Sequence, residues 1–270
     1  MIEKVDKQTV YSYQYYDKYK QFTKKHLEEA LDAYSVYHEN LSIINQVAHC
    51  YYYLDDYYRG LNFVLKALSL PEEAKLKEEY YYSLKLAGDL YTRLGIFESA
   101  AEFYIRAMNY IGHDKDRYKR CDLMQSLAYV YFELCSYDMA IDLAVEALQL
   151  AELLDENTLI AKANLSLCRI HQRRKLYDKA LKYGLKVIEI HKGNEETKGL
   201  IQIYFEMASI YEAMKDYSLS KNFYERALLL AEEAFDEYSS IQANYLLGKM
   251  LFSEGHIKRA QKVLEDTADT

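Results

Sequence analysis

A 40-residue repeat constrains the fold of this chain more than any other feature of its sequence. In six successive segments a small residue recurs at this interval, three positions after an aromatic residue or, in the last segment, after an isoleucine. Periods of about 20 to 50 residues are typical of arrays in which each unit packs mainly against its neighbours. We therefore expect one continuous array, although 270 residues would allow two separate domains. The small residues are Gly60, Ala100, Ala140, Ala180, Ser220 and Ala260.

Each repeat has the pattern of two amphipathic helices joined by a turn. Apolar residues recur at intervals of three and four on both sides of the small residue, which is helical spacing. The chain has one proline and nine glycines, fewer turn residues than a sandwich or barrel of strands would need. Gly95 and Gly255 stand at the predicted turn in two of the repeats. We expect the small residue at the helix crossing, because axes about 8–10 Å apart leave no space there for a long side chain.

The array is predicted to follow an N-terminal capping segment. Residues 1–40 have the pattern of one or two helices, near 9–20 and 21–38, that would cap the first repeat. Residues 266–270 lack the pattern of the polar capping helix that solenoids generally need, so we expect this edge to pair with another copy or the natural chain to be longer. The predicted repeats are 41–80, 81–120, 121–160, 161–200, 201–240 and 241–270.

Composition argues against several classes of function. The net charge of −8 and the pI near 5.5 argue against a nucleic-acid-binding surface. The four cysteines lie far apart without a CxxC pair, and the histidines lack metal-ligand spacing, so we expect no metal and no cofactor. The sequence has neither an apolar run of about 20 residues nor an N-terminal signal-peptide pattern. We therefore expect a cytoplasmic protein without membrane contacts.

The repeat resembles a known family. A small pair such as Leu127-Ala128, followed by Tyr131, Tyr137, Ala140 and then Ala147-Leu148, is similar to the tetratricopeptide repeat. The resemblance covers residues 41–270 and departs from the family in its missing leading tryptophan, its rare proline and its period, which exceeds the usual length of about 34 residues. It implies an all-α, right-handed superhelical solenoid of about six helical hairpins.

The long period and the helices rich in Tyr, Lys and Glu also resemble the peptide-pheromone receptors of Gram-positive bacteria, the Rap and NprR/PlcR group. That resemblance implies a short secreted peptide held in a concave groove, and therefore a role in quorum sensing. Those receptors also carry an N-terminal effector part, for which residues 1–40 are too few. On this interpretation the chain is a reduced form that has a sensing groove and no output domain.

In tetratricopeptide-type solenoids the first helix of each unit lines the concave face, which suits a peptide or partner segment. Tyr129 and Phe205 are expected to face this groove, where an aromatic ring offers either ligand contact or packing between first helices. The residues predicted to bind the peptide or partner are Asn45, His49, Lys85, Asp89, Arg93, Gln125, Tyr129, Lys162, Arg169, Gln172, Arg173, Phe205 and Tyr245.

The fourth repeat carries a local concentration of positive charge. Residues 157–177 contain no Asp or Glu, and Lys162, Arg169 and Arg173 are spaced by seven and four, which places them on one helix face. Guanidinium groups bind carboxylates in a bidentate manner, so this stripe is a candidate anchor for a carboxylate of a bound peptide. The alternative is a solvated face, since surface charge runs contribute little. The acidic residues that could instead neutralise the stripe are Asp122, Glu133, Glu206 and Glu212.

The function that these features favour is a non-enzymatic module that binds a peptide or a protein segment. A second hypothesis is a scaffold that self-associates, for example as a homodimer, through the uncapped last repeat and a Tyr-rich N-terminus. There Tyr11, Tyr13, Tyr15 and Tyr16 are too numerous for one helical stripe. A third is a phosphatase acting on a response regulator, as some Rap relatives are. The sequence lacks a nucleophile elbow, a Gly-rich phosphate loop and a metal-ligand cluster, so such an activity would need a groove glutamine such as Gln125.

Overall fold

The computed structural model describes residues 13–71, 77–112, 116–194, 196–253, 255–258 and 260–262. Within these residues the regular structure is entirely α-helical, as predicted, and consecutive helices pack as hairpins. The helices are α1 (Tyr13–Val36), α2 (Leu41–Tyr53), α3 (Tyr57–Ser69), α4 (Lys77–Arg93), α5 (Phe97–Ile111), α6 (Arg117–Glu133), α7 (Tyr137–Leu154), α8 (Asn157–Arg173), α9 (Tyr177–Gly193), α10 (Thr197–Ala213), α11 (Tyr217–Glu233) and α12 (Glu237–Ser253).

The turn inside each hairpin repeats with the sequence period. In every described hairpin the residue two positions before the second helix has a positive φ. It is glycine in two hairpins, with φ +73° at Gly95 and +81° at Gly255. The next backbone N–H returns to the carbonyl five residues earlier, as from Ile96 to Tyr91 at 2.9 Å, which is a helix-ending bond of the Schellman type. The four side-chain-bearing residues at the same turn position are Asp55, Cys135, Lys175 and Lys215.

The predicted small residues lie at the helix crossings. Ala100, Ala140 and Ala180 are completely buried, and Ala260 is 1% exposed. At Gly60 an added Cβ would lie 3.0 Å from Cδ2 of Leu90 and 3.1 Å from a backbone oxygen of α2. The prediction of close helix crossings is therefore confirmed at these positions.

The N-terminal segment is a single helix in the described residues, where one or two were predicted. The apolar side of α1 packs on the first hairpin, with Ala30 against Val47 and Tyr51 and with Leu27 and Leu31 beside them. Its role as a cap remains a prediction. Residues 1–12 and 263–270 lie outside the described residues, and no side chain is described for Tyr11, Tyr13, Tyr15 and Tyr16.

The chain forms two compact units, one of Asp17–Leu159 and the other mainly of the residues from Ile160 onward. The first unit holds the larger described core cluster, around Leu84, Leu90 and Leu123. The second is built around Val187 and Met207. The division into six repeats remains a prediction, and the structure begins the first helices four residues before five of the predicted boundaries, at Lys77, Arg117, Asn157, Thr197 and Glu237.

Candidate functional site

The first helix of each hairpin buries one side and leaves the other more open. On α2, Val47 and Ala48 are buried, whereas His49 and Tyr53 are exposed. Side chains three, four or seven positions apart share a helix face, so the open side can be followed along α2, α4 and α6. We call this surface of Asp17–Leu159 the aromatic face. Its side chains are His49, Tyr52, Tyr53, Tyr82, Lys85, Asp89, Arg93, Asp122 and Tyr129, with the buried amides of Asn45 and Gln125 at its base.

Lys85 joins two carboxylates on the aromatic face. Its Nζ lies 3.0 Å from Oδ2 of Asp89 on α4 and 3.5 Å from Oδ2 of Asp122 on α6. Burial alone would lower the pKa of Lys85, but the two carboxylates together raise it above its ordinary value. The hydroxyl of Tyr104 donates to Oδ1 of Asp89 at 2.7 Å, and burial, helped by Asp89, raises the pKa of this tyrosine. At neutral pH Lys85 is therefore charged and Tyr104 is protonated.

Two amides predicted to bind a ligand bridge consecutive first helices. Asn45 donates from Nδ2 to the carbonyl of Glu79 at 3.0 Å, and its Oδ1 accepts from Oγ of Ser83 at 2.8 Å. Gln125 donates from Nε2 to the carbonyl of Leu159 at 2.8 Å. Both side chains are buried, and Oε1 of Gln125 accepts no hydrogen bond from the described residues. These amides fix the spacing of the first helices.

Aromatic rings and one arginine cluster where α2 turns into α3. The ring of His49 lies 4.6 Å from that of Tyr53, edge to face. The guanidinium of Arg93 lies over the ring of Tyr57, 5.2 Å from its centre, and Nε donates to its hydroxyl at 3.1 Å. Burial lowers the pKa of His49, Asp89 opposes this shift and Lys85 adds to it, so the imidazole is neutral at pH 7.

The corresponding surface of the residues from Ile160 onward is the cationic face, with Lys162, Arg169, Gln172 and Arg173 on α8 and Phe205, Glu206 and Ser209 on α10. Arg169 is paired there: Nε and Nη2 lie 2.6 Å and 2.5 Å from Oε1 of Glu206. These two contacts use one edge of the guanidinium group. The side chain of Gln172 donates to Oγ of Ser209 at 2.9 Å, while Lys162 and Arg173 are exposed.

The predicted aromatic contacts in this unit differ in burial. Phe205 is partly buried, with its ring 6.1 Å from that of Tyr224, and it packs against a core cluster that includes Leu247 and Met250 of α12. Tyr245, forty residues later, is 58% exposed. The structure thus places Phe205 between hairpins and Tyr245 at an open surface.

A comparison with protein families supports the repeat assignment. The tetratricopeptide repeat family matches residues 159–228, which include most of hairpin α8/α9 and most of the next one. Residues 159–228 therefore match the tetratricopeptide repeat. No curated protein matches the chain.

Solved structures similar to this chain include Rap proteins. The apo form of RapI is 15% identical with a TM-score of 0.70, and the match covers 95% of this chain and 96% of RapI. A Rap protein complexed with Competence and Sporulation Factor is 15% identical with a TM-score of 0.69, over 95% of this chain and 76% of that one. Aspartyl phosphate phosphatase F from Bacillus subtilis is 12% identical with a TM-score of 0.67, over 88% and 73%. These likenesses show the fold.

The contacts that hold the aromatic face together were not predicted from the sequence. Tyr57 and Tyr104, which contact Arg93 and Asp89, come from second helices and were not selected. The repeat spacing predicts the contacts between successive first helices. The contacting residues are 37 positions apart, three fewer than the 40-residue repeat, so each partner lies about one helical turn before the equivalent position in the next repeat. The pairs with this spacing are Lys85 with Asp122, Arg169 with Glu206, and Gln172 with Ser209.

Two further features of the described residues bear on chemistry. They contain no group of three or more His, Cys, Asp or Glu side chains that could hold a metal ion. A search of the same residues finds no helix with both the length and the apolar character needed to cross a membrane.

Proposed function

We propose that this chain is a non-enzymatic binding module that holds a peptide, or a segment of a partner protein, on the open surfaces of its first helices. The observation that carries the proposal is a set of three exposed tyrosines on the aromatic face. Tyr53 on α2 is 42% exposed, Tyr82 on α4 is 47% exposed and Tyr129 on α6 is 41% exposed. Exposed aromatic side chains favour protein interfaces, because each ring offers a large contact area at low conformational-entropy cost.

The contacts beneath these rings support the same function. Lys85 holds α4 to α6 through Asp122, and Asn45 holds α2 to α4 through Ser83. A surface fixed before binding loses less conformational freedom when a ligand arrives, which favours affinity. The buried amides therefore serve the site by positioning it, and the exposed rings would contact the ligand.

The cationic face would anchor a carboxylate. Lys162 and Arg173 lie on the same face of α8 as Arg169, seven positions before it and four after it. Glu206 occupies the edge of Arg169 formed by Nε and Nη2, so an incoming carboxylate would approach Nη1 together with Arg173. We assign Lys162, Arg169 and Arg173 together to this carboxylate.

A signalling peptide is the ligand class that the resemblance to the pheromone receptors favours. The solved Rap protein in complex with Competence and Sporulation Factor supports this by showing a protein of this fold holding a bound factor. We assign Gln125 to packing and not to phosphatase chemistry, because its side chain is 7% exposed and its amide donates to the carbonyl of Leu159. On this proposal the chain acts as a peptide receptor or regulator in the cytoplasm.

Selection from a displayed library of random ten-residue peptides against the full chain, followed by calorimetry of the selected peptides, tests the proposal. Tyr82→Ala with Tyr129→Ala should weaken binding at least about tenfold, since interface tyrosines commonly contribute more than 1 kcal/mol each. Tyr58→Ala is the matched control, because Tyr58 is 72% exposed on the second helix α3. Failure to select any peptide, or equal losses in both variants, would contradict the proposal.

A charge test addresses the cationic face separately. Arg173→Glu should weaken binding of peptides with a free C-terminal carboxylate more than binding of their amidated forms. Lys186→Glu, an exposed lysine on the second helix of the same hairpin, is the control of equal charge change. Equal effects on free and amidated peptides would remove the carboxylate assignment and leave the aromatic face unaffected.

A further inference from the structure

Arg93, the last residue of α4, is held against two tyrosines. Its guanidinium carbon lies 5.2 Å from the centre of the Tyr57 ring and 5.9 Å from that of Tyr52. Its Nε donates to the hydroxyl of Tyr57 at 3.1 Å. These cation–π contacts and the hydrogen bond fix the orientation of the planar group. An arginine that is fixed before binding loses less conformational freedom when a ligand arrives.

The other edge of this guanidinium group, formed by Nη1 and Nη2, is available to a ligand. Among the described residues none accepts a hydrogen bond from either atom, and Oδ1 of Asp55 lies 3.9 Å from Nη2. Asp55 is engaged by Lys20, whose Nζ lies 3.3 Å from Oδ2, and by the hydroxyl of Tyr57, which donates to Oδ1 at 2.7 Å. The side chain of Arg93 is 52% exposed. Arg93 therefore presents a fixed pair of donor groups at an accessible surface.

A continuous set of rings leads from Arg93 onto the aromatic face. The ring centres of Tyr57 and Tyr52 are 6.0 Å apart, and those of Tyr52 and Tyr53 are 5.5 Å apart. The ring of His49 follows, 4.6 Å from that of Tyr53. Tyr53 is 42% exposed, and His49 is exposed as well. A side chain bound at Arg93 would therefore have apolar contact surface beside it.

The charged side chains around Arg93 favour an anion. Arg93 and Lys20 share one carboxylate, that of Asp55, which leaves an excess of one positive charge. Arg59 and Asp56, at the start of the following helix, neutralise each other at 3.3 Å. A carboxylate fits the two parallel N–H groups of a guanidinium fork. In a protein segment this group belongs to Asp and Glu side chains or to the C-terminus, and the proposed function already assigns a terminal carboxylate to the cationic face.

We propose that Arg93 binds the carboxylate of an Asp or Glu side chain of the ligand through Nη1 and Nη2. An aromatic or aliphatic side chain next to this acid contacts Tyr53 and His49. Tyr57 is a positioning residue, because its ring and its hydroxyl hold the guanidinium group. This preference for an acidic residue beside an apolar one in the ligand rests on the proposed function and extends it.

Synthetic arrays of ten-residue peptides with amidated C-termini test this preference against the full chain. Two arrays have the same sequences except at position five, which is Asp or Glu in one array and Asn or Gln in the other, with Leu, Phe or Tyr at position six. In calorimetry the acidic peptides that bind should do so at least about tenfold more tightly than their amide counterparts, because hydrogen bonds between charged groups are the stronger class. Arg93→Gln should remove this difference and leave the weaker binding of the amide peptides nearly unchanged.

Matched variants separate this contact from a general effect of charge. Arg59→Gln makes the same change of charge at an arginine of α3 whose side chain is 67% exposed and paired with Asp56, and it should keep the preference. Arg93→Lys keeps the charge but lacks the fork, so it should retain only part of the preference. Tyr57→Phe keeps the ring but lacks the hydroxyl that accepts from Nε, and it should also retain only part.

The outcomes distinguish this role of Arg93 from the proposed function. Unchanged circular dichroism would show that the variants are folded. Equal binding of acidic and amide peptides, or an acidic preference that persists in Arg93→Gln, would overturn the role of Arg93 and leave the proposed function standing. Binding of no peptide from either array would overturn both.

Discussion

Lys85 and Asp122 belong to successive first helices, and Nζ of Lys85 lies 3.5 Å from Oδ2 of Asp122. Asp89, on the same helix as Lys85, accepts from the same ammonium group at 3.0 Å and from the hydroxyl of Tyr104. All three charged side chains are about one quarter exposed. The ammonium group therefore links two hairpins in a partly desolvated environment, where an ion pair is screened less than at the surface.

A double-mutant cycle on Lys85→Ala and Asp122→Ala should therefore give a coupling energy of about 1 kcal/mol in urea unfolding. Arg106 and Glu102, an exposed pair one turn apart on α5 at 3.7 Å, form the control and should give at most about 0.5 kcal/mol. The coupling at Lys85 should also persist better in high salt. A coupling no larger than that of the control would show that Lys85 does not hold the helices together.

His171 makes the stability of the protein depend on pH. Its ring stacks on that of Tyr183 at 5.5 Å, and burial, followed by the charges of Lys179 and Arg174, lowers its pKa below the ordinary value of 6.5. The unfolded chain therefore binds a proton at a higher pH than the folded chain. The contribution of His171 to the free energy of unfolding is fully present above pH 6.5, and it is lost as the pH falls toward the pKa of His171 in the folded chain.

The variant His171→Tyr should flatten this dependence. Tyrosine stands at the equivalent position of the repeat in Tyr131 and Tyr211, so the ring should fit. The difference in unfolding free energy between pH 7.5 and pH 5 should be smaller in the variant than in the parent. Part of the dependence should remain, because burial also lowers the pKa of His49. Identical pH profiles would show that His171 does not titrate differently on folding.

The sequence was sufficient for the fold because the signal is repeated. One alanine in the sequence, such as Ala140, does not by itself predict a helix crossing. Small residues that recur every forty positions predict the same crossing in each hairpin. The site was less predictable, because its contacts depend on which side chain meets which across helices. Asn45 and Gln125 have the polarity of ligand contacts, yet their amides pair with Ser83 and the carbonyl of Leu159. The periodicity of one helix predicts the face on which a residue lies, but it does not predict which side chain of the neighbouring helix that residue contacts.

The crossing residue Ala140 should tolerate little added volume. It is completely buried, so Ala140→Leu must displace the neighbouring helix or adopt a strained rotamer, at a cost of about 1–3 kcal/mol. The same substitution at the exposed Ala213 should change the free energy of unfolding by less than about 0.5 kcal/mol. Chemical denaturation of both variants compares them directly. Equal effects would contradict the close crossing at Ala140.

Two glycines should respond in opposite directions to the same substitution. At Gly95 the backbone has φ +73°, and an added Cβ would meet no atom within 4 Å. Gly95→Ala should therefore destabilise the protein by about 1–2 kcal/mol through backbone strain alone. Gly193 ends α9 without a positive φ and also has open space for a Cβ. Gly193→Ala should stabilise by about 0.4–1 kcal/mol, because alanine reduces the freedom of the unfolded chain. Thermal and urea unfolding of the two variants measure these signs, and a shared sign would show that the turn at Gly95 does not require the left-handed conformation.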